Sequence, residues 1–327
     1  MNHFKKSILF VAILLALLSA ISGVITYGAR HSPAVPFSKV NKLMAHEIDP
    51  EMMIFGASTA WVNFNPDIIS RTTGLSVFNM GLDGTPMPEY RGLAREFILY
   101  AKKCKCIVFA IGITEFSVRE GLYQPYKFYA YMGNDNIYNA FFDLQPGFAW
   151  RMRYVPFYNL TAYTVPFYQG VEAGWLASAG KTPWTGEKNG YFPMDNIWDK
   201  IQEQKNQEAQ ETREVIDDKR LNMFREFTSM CSDSGFIVVT VMTPIQKDGQ
   251  RLIRNIPEVK ETIAKSVPPQ SHFLDYTINE LCNDKIYFYN NTHLNQTGAD
   301  RFSRIFSEDF RKLMASDRHH SCSRHRN

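Results

Sequence analysis

Short apolar runs alternate with helical stretches along the body of the chain, and this alternation constrains the fold more than any other feature. Each run has the length of a buried strand and is followed by turn and helix signals. The runs lie at positions 52–55, 75–78, 107–111, 236–242 and, more weakly, 273–274. The helical stretches lie at positions 88–102, 201–231, 256–266 and 296–314. The alternation predicts an α/β fold, in which helices cover both faces of a parallel sheet and ligands bind at the carboxyl ends of its strands.

The N-terminus carries an uncharged apolar run at positions 8–27, which is 20 residues. A helix needs about 20 apolar residues to cross a bilayer. Because Lys5 and Lys6 precede the run, the positive-inside rule places the N-terminus in the cytoplasm. We therefore expect residues 1–30 to form a cytoplasmic stub and a single-pass anchor in the cytoplasmic membrane. The body would then lie on the periplasmic or extracellular side, after a linker at 31–50. A signal peptide cleaved near Ala20 is the alternative.

The charge balance and the cysteines exclude several classes of protein. The net charge of +3 is too small to indicate a nucleic-acid partner, and its basic excess lies at the two ends of the chain. We expect a basic, disordered tail at 316–327. Five cysteines are an odd number and imply no disulfide framework. Cys104 and Cys106 form a C-x-C pair without a second pair, so we expect neither a metal nor a cofactor.

An aromatic block at positions 116–200 interrupts the alternation and holds 22 of the 45 aromatic residues. It is too long for a crossover connection and too aromatic for a disordered loop. One interpretation is a subdomain with its own aromatic core. A second adds that the block folds over the active edge of the sheet and supplies a platform for sugar rings or acyl chains. The two interpretations are compatible.

The first strand leads directly into Gly56, Ala57 and Ser58. A glycine two residues before a serine, at a strand-to-helix turn, lets the hydroxyl stand at the edge of the sheet. The next helix would direct its N-terminus at that hydroxyl and favour developing negative charge. The alternative is that Ser58 only caps the helix.

Three further segments fall on the same predicted edge of the sheet. The second strand ends in Asn-Met-Gly-Leu-Asp-Gly at positions 79–84, and the third ends in Gly-Ile-Thr-Glu at positions 112–115. Near the C-terminus, Tyr-Asn-Asn-Thr-His-Leu-Asn occupies positions 289–295. Glycines let backbone N–H groups approach an oxyanion, and a histidine facing a serine is a candidate general base.

These segments, in this order, resemble the SGNH (GDSL-like) hydrolase superfamily, nearest to envelope-anchored bacterial members such as the DltD-type and alginate O-acetylation proteins. The matching pieces are I-F-G-A-S, N-M-G-L-D-G, A-I-G-I-T-E and N-N-T-H-L-N-Q-T-G-A. The resemblance covers positions 51–115 and 236–314 and omits the aromatic block. It implies a three-layer, flavodoxin-like domain over 51–315, with an insertion at 116–200.

The resemblance also implies roles for individual residues. Ser58 would be the nucleophile and His293 the general base, and the Ser58 backbone N–H and Gly84 would contribute to the oxyanion hole. Thr114 stands where the family offers an Asn to that hole, and its hydroxyl can donate one hydrogen bond. Asn290 stands where the family places the acid, and an amide can hold the imidazole tautomer without offsetting its charge.

Asp275 and Asp284 are the other candidates for the missing acid. The sequence does not place either of them relative to His293.

Two functions follow as hypotheses. The first is a serine esterase or O-acyltransferase that acts on envelope polysaccharide or another external acylated polymer through a Ser58–His293 acyl-enzyme. The second is a catalytically weak or inert member of the same fold, which binds glycan or supports an envelope acylation complex. A membrane-bound O-acyltransferase would be the partner in such a complex.

Overall fold

A computed structural model describes residues 3–118, 121–161, 164–181 and 186–324, apart from the side chains of residues 159 and 317–324. The chain divides into two compact units. The sheet unit comprises Ile48–Tyr90, Ile98–Glu120 and Gly186–Asn327. The anchor unit comprises Met1–Glu47, Arg91–Phe97 and Gly121–Thr185.

The regular elements follow one another in the order that the sequence pattern predicts. The strands are β1 (Met52–Gly56), β2 (Val77–Asn79), β3 (Cys106–Ile111), β4 (Ile237–Met242) and β5 (His272–Asp275). In the described part of the chain, the α-helices are α1 (His3–Arg30), α2 (Phe37–Met44), α3 (Ser58–Asn63), α4 (Pro66–Thr73), α5 (Met87–Tyr100), α6 (Asp135–Leu144), α7 (Pro146–Tyr154), α8 (Val165–Ser178), α9 (Lys200–Glu208), α10 (Asp218–Asp233), α11 (Lys247–Arg251), α12 (Ile256–Ser266) and α13 (Gln296–Arg324).

The five strands form one parallel sheet in the order β2-β1-β3-β4-β5. The predicted α/β class with a parallel sheet is therefore confirmed. Every residue of β1 and β3 is buried, which explains why these strands are continuous apolar runs rather than alternating ones. This strand order reverses direction between β1 and β3, where doubly wound sheets bind their ligands.

Helix α13 closes one side of the sheet unit against α3 and α4. The ring of Phe64, which follows α3, meets the rings of Phe302 and Phe306 edge-on at centroid distances of 5.1 and 5.4 Å. All three rings are fully buried. This aromatic contact fixes α3, and with it the turn that carries Ser58, on the sheet.

Three helical boundaries differ from the prediction. The single helix expected at 201–231 is two helices, α9 and α10, and Asp217 caps the second by accepting from the backbone N–H groups of Lys219 and Arg220. The segment between them pairs elsewhere, since Thr212 and Ile253 form a parallel bridge. The expected linker at 31–50 contains α2. Helix α13 continues past position 314 into the expected tail, because no proline or glycine interrupts the sequence there.

The anchor unit contains α1, α2, α6, α7, α8 and the middle of α5. Its core gathers Ala29, Phe37, Tyr126, Phe167 and Val171. Within the described residues, α1 is the one helix long and apolar enough to cross a membrane. This finding suggests a single-pass membrane anchor.

The aromatic block at positions 116–200 is divided between the two units. Among its described residues, 121–161 and 164–181 belong to the anchor unit, and 116–118 and 186–200 belong to the sheet unit.

Candidate functional site

The turn from β1 to α3 presents Ser58 at the carboxyl edge of the sheet. A Cβ on Gly56 would lie 2.4 Å from the carbonyl oxygen of Ala110 and 2.6 Å from the Cβ of Ala60. Only glycine therefore lets β1 run so close to β3 and α3. Ser58 is the first residue of α3, and the capping residue is Ala57. The interpretation of Ser58 as a simple helix cap is wrong.

Ser58, His293 and Asn290 form a continuous chain of hydrogen-bonded side chains. His293 Nε2 lies 2.7 Å from Ser58 Oγ, and His293 Nδ1 lies 2.9 Å from Asn290 Oδ1. The prediction that Ser58 and His293 lie within hydrogen-bond reach is confirmed. The geometry has the connectivity of a nucleophile, a base and an orienting group.

The surroundings of Asn290 fix the tautomer of His293. The same atom, Asn290 Oδ1, accepts from the backbone N–H groups of Thr292 at 3.1 Å and His293 at 3.0 Å. Because those groups can only donate, the atom must be the amide oxygen. The imidazole Nδ1 therefore carries the proton, and Nε2 is left to accept the proton of Ser58. This is the tautomer that a general base needs.

Asn63, at the end of α3 (the serine helix), holds in place the segment at positions 289–295 that carries His293 (the histidine loop). Its Oδ1 accepts from the Leu294 N–H at 2.9 Å, and its Nδ2 donates to the Thr292 carbonyl at 3.2 Å. Asn63 is fully buried, so these bonds satisfy polar groups that water cannot reach. No sequence motif indicates the role of Asn63, because an asparagine at the end of a short helix resembles an ordinary helix terminus.

The imidazole of His293 lies in an environment that disfavours its charged form. The ring of Tyr289 stacks on it, with centroids 5.5 Å apart and planes inclined by 19°. Burial lowers the pKa of His293 to about 4, while the nearby charge of Asp83 opposes this shift. Burial and the charge of Asp83 also raise the pKa of Tyr289. His293 is therefore neutral at physiological pH and able to accept a proton.

The carboxylates considered as alternatives to Asn290 are engaged elsewhere. Asp275 forms an ion pair with Lys260 and accepts from the backbone and hydroxyl of Thr277. Asp284 caps a 3-10 turn by accepting from the Ile286 N–H. Among the described residues, Asp83 is the carboxylate whose charge acts on His293. It lies in the Asn-Met-Gly-Leu-Asp-Gly segment at positions 79–84, hereafter the glycine block. The sequence pattern indicates a role there for the glycines and none for Asp83.

The glycine block runs along α3 because residue 81 has no side chain. A Cβ on Gly81 would lie 2.3 Å from the backbone nitrogen of Trp61. Asn79 fastens the block, since its Nδ2 donates to the Ala60 carbonyl at 2.7 Å and its Oδ1 accepts from the Gly81 N–H at 2.8 Å. Gly84 follows in a turn with a φ of 60°, a conformation that favours glycine.

The Gly-Ile-Thr-Glu segment at positions 112–115 follows β3 and lies beside Thr59, the residue after Ser58. A Cβ on Gly112 would lie 3.6 Å from Thr59 Oγ1. Thr114 lies in the turn that comes next, and its carbonyl accepts from the Ser117 N–H at 3.2 Å. Glu115 is buried and accepts from the Met87 N–H at 2.6 Å, which ties this turn to the start of α5. The blocks that carry Ser58, Gly84 and Thr114 therefore all follow the carboxyl ends of neighbouring strands.

An amide network supports the outer side of the histidine loop. Asn291 and Asn206 exchange two side-chain hydrogen bonds, at 2.8 and 3.0 Å, and the Asn291 carbonyl accepts from the Gln246 N–H at 2.8 Å. Next to this network lies a polar groove of about 340 Å³, whose lining includes Glu203, Asn206, Asp248, Arg251 and Lys285.

The end of the aromatic block lies against the serine helix. Within the sheet unit, the ring of Phe192 lies 5.1 Å from that of Trp61, and Trp61 Nε1 donates to Glu187 Oε1 at 2.9 Å. These contacts bring positions 187–192 next to α3. A role of the whole block as a platform for sugars or acyl chains stays a prediction.

Compared with known proteins, the chain matches no protein-family model and no curated protein sequence. The resemblance to SGNH hydrolases therefore stays a prediction from the sequence, and the side-chain geometry is the main ground for a functional proposal.

Proposed function

We propose that the protein is an SGNH-type serine esterase or O-acyltransferase, anchored in the cytoplasmic membrane. Its substrate is envelope polysaccharide or another external acylated polymer. The observation that carries the proposal is the chain of hydrogen bonds from Ser58 Oγ through His293 to Asn290 Oδ1. The extracytoplasmic placement rests on the positive-inside rule applied to Lys5 and Lys6.

In the proposed reaction, Ser58 Oγ attacks the carbonyl carbon of an ester while His293 Nε2 takes the hydroxyl proton. The tetrahedral intermediate collapses, and His293 returns the proton to the departing alkoxide. The product is an acyl ester on Ser58 and a free alcohol. Water or a sugar hydroxyl then attacks the acyl-enzyme by the same route and regenerates Ser58.

The developing oxyanion would be stabilised by the Ser58 and Gly84 N–H groups and by the Thr114 hydroxyl. These roles come from the resemblance. The positions of Gly84 and Thr114 after neighbouring strands support them, and preorganised donors of this kind typically supply 10²- to 10³-fold in turnover.

The polar groove beside Asn206 and Asn291 supports a polymeric, hydroxyl-rich substrate. Amide and charged side chains that line an open groove suit sugar hydroxyls, whereas an apolar acyl chain would need an apolar lining.

The proposal is tested by labelling the purified protein with a fluorophosphonate probe, which reacts with activated serine hydroxyls. We expect the wild type to be labelled at Ser58 and the variants Ser58→Ala and His293→Ala not to be. Ser70→Ala, in helix α4, is the matched control and should label like the wild type. Turnover of a small acetyl ester should follow the same pattern.

A second candidate function is an inert glycan-binding or scaffold protein of an envelope acylation complex, with a membrane-bound O-acyltransferase as its partner. The observation that favours it is that the side chain bonded to His293 Nδ1 is an amide, which cannot offset the charge of an imidazolium. Failure of the probe to label Ser58, together with wild-type turnover no higher than that of Ser58→Ala, would select this alternative.

A further inference from the structure

One side of helix α8 is exposed and largely apolar. Its inner face packs into the core of the anchor unit through Phe167 and Val171. Four large apolar side chains of α8 keep exposed fractions of 40–71%: Val165, Tyr168, Trp175 and Leu176. Two of these lie in the last turn of the helix, where the exposed surface is least interrupted by polar groups.

The end of α8 lies beside the end of α1. Trp175 Nε1 donates to the Val24 carbonyl at 3.1 Å, and the Trp175 ring lies 4.7 Å from that of Tyr27. At the start of α8, the Phe167 ring contacts Phe37, which follows α1 in the chain, at 6.0 Å. Helix α8 therefore runs antiparallel to α1, back toward its apolar span.

The two helices cross at a pair of glycines. A Cβ on Gly174 would lie 1.8 Å from the Gly28 carbonyl oxygen, and a Cβ on Gly28 would lie 2.7 Å from the Val171 carbonyl oxygen. Contacts between small residues that bring helix backbones this close are typical of helix pairs in membranes. They fix the position of α8 along the axis of α1 without long, flexible side chains.

The depth of α8 in the bilayer follows from where the apolar run of α1 ends. This run ends at Tyr27, and a helix rises about 1.5 Å per residue. Val24 therefore lies about 4–5 Å inside the end of the run. Because Trp175 is bonded to Val24, the residues that follow it in α8 lie at the level of the run itself.

The composition of the end of α8 and of the two residues after it matches that depth. Residues 173–180 read Ala-Gly-Trp-Leu-Ala-Ser-Ala-Gly and contain no charged residue. Glu172 and Lys181 flank the segment. A segment of eight uncharged residues that includes a tryptophan suits the boundary between headgroups and acyl chains, and the long side chain of Lys181 at its deeper end can extend its charge toward the headgroups.

We propose that residues 173–180, which are the end of α8 and the two residues after it, insert into the surface of the lipid bilayer beside α1, in the leaflet that α1 leaves at Tyr27. The anchor unit would then contact the membrane through two helices rather than one. A second contact at the bilayer surface restricts tilting of the anchor unit relative to the membrane.

The test uses the full-length protein in phospholipid nanodiscs, with a nitroxide attached to Leu176→Cys in a background in which Cys104 and Cys322 are replaced by serine. Collision with oxygen reports the acyl region, and collision with a water-soluble nickel chelate reports the aqueous phase. Val24→Cys in α1 is the positive control. Gln169→Cys, exposed nearly two turns earlier in α8, is the aqueous control.

We expect the label at position 176 to collide several-fold more with oxygen than with nickel, as at position 24, and the label at position 169 to show the reverse ratio. A label at 176 that collides mainly with nickel would overturn the proposal, since the segment would then be in water. Protection from both reagents would also overturn it, because a protein surface such as a second copy would cover the segment. Aqueous accessibility at position 24 would remove the membrane placement of α1 and the proposal with it.

Discussion

Asn290 Oδ1 and His293 Nδ1 lie 2.9 Å apart, and the same oxygen accepts from the backbone N–H groups of Thr292 and His293. In a serine protease, replacing the acid by an amide costs about 10⁴ in turnover because the wrong tautomer forms. Here two backbone donors hold the amide oxygen toward the imidazole. The amide in this position therefore keeps the tautomer and lacks only the negative charge.

This relationship predicts the effect of restoring the charge. Asn290→Asp should raise the turnover of a small acetyl ester, because a carboxylate also stabilises the imidazolium. The gain should be well below roughly 10⁴-fold, because the 10⁴-fold effect in serine proteases includes a change of tautomer that does not occur here. Asn290→Ala should lower turnover. Steady-state kinetics of the three proteins, with Ser58→Ala as the blank, measure both effects.

Asp284→Ala is the matched control for these substitutions. The carboxylate of Asp284 caps a 3-10 turn and bonds to the Ile286 N–H, so turnover should change little. A large loss of turnover in Asp284→Ala, with no gain in Asn290→Asp, would contradict the assignment of Asn290 as the orienting group.

Asn63 should be needed both for stability and for the alignment of His293 with Ser58. Asn63→Ala removes the bonds to Leu294 and Thr292 and leaves buried backbone groups unsatisfied. The free energy of unfolding should fall by about 1–3 kcal/mol, and turnover should fall further than stability alone explains. Denaturant titration and steady-state kinetics under conditions where both proteins are folded separate the two effects.

Asn65→Ala provides the comparison. Asn65 caps α4 through the Asp67 N–H and has no bond to the histidine loop among the described contacts. Its Nδ2 also donates to Asp300 Oδ1 at 2.7 Å, so the loss of the side chain should cost about 1–3 kcal/mol of stability and leave turnover of the folded protein unchanged. Equal losses of turnover in the two variants would show that Asn63 acts only through stability.

The glycine at position 81 should tolerate no side chain. In Gly81→Ala, the added methyl would lie 2.3 Å from the Trp61 nitrogen, so the glycine block or α3 must move. We expect a loss of at least about 1–3 kcal/mol in the free energy of unfolding and loss of fluorophosphonate labelling. Gly133→Ala, where no atom lies within 4 Å of the added methyl, should keep wild-type stability. A stable Gly81→Ala protein would contradict the close packing of the block on α3.

The sheet and the pairing of Ser58 with His293 could be predicted because both depend on local sequence patterns. Buried parallel strands are continuous apolar runs, and the carboxyl ends of such strands meet at one edge. The break between α9 and α10 could not be predicted in this way. It is stabilised by two backbone bonds, in which the Thr212 N–H donates to the Leu252 carbonyl and the Thr212 carbonyl accepts from the Arg254 N–H. These residues lie about 40 positions apart in the sequence, so their pairing leaves no local pattern.

The supporting residues of the site were missed for a related reason. Asn63 acts through the backbone of a distant loop, and Tyr289 acts by stacking its ring on the imidazole. Neither role depends on a motif. The role of Asp83 also has no local signal, because its effect on His293 is electrostatic and depends on the folded arrangement.

The burial of His293 predicts an activity that withstands mild acid. Because burial lowers its pKa to about 4, the imidazole stays neutral from pH 8 down to about 5, and kcat/KM should be half lost only near pH 4. Tyr289→Ala should admit water to the imidazole and move this midpoint up toward 6.5, the value of an exposed histidine. Tyr289→Phe keeps the ring and should keep the wild-type midpoint. An unchanged midpoint in Tyr289→Ala would show that the stacked ring does not cause the shift.

Asp83 should move the same midpoint in the opposite direction. Its negative charge favours protonated His293 and raises the pKa of the imidazole against the effect of burial. In Asp83→Asn that contribution is lost, so the pKa of His293 should fall below that of the wild type, and activity should persist to lower pH. At neutral pH, turnover should fall. In the proposed reaction His293 becomes an imidazolium as Ser58 attacks, and Asp83 is, among the described residues, the carboxylate whose charge stabilises that cation. Asp284→Asn, which removes an acid that caps a turn elsewhere, should change neither quantity. The test is the acidic midpoint of the pH dependence of kcat/KM for the wild type, Asp83→Asn and Asp284→Asn. A higher midpoint in Asp83→Asn than in the wild type would contradict the proposed electrostatic role.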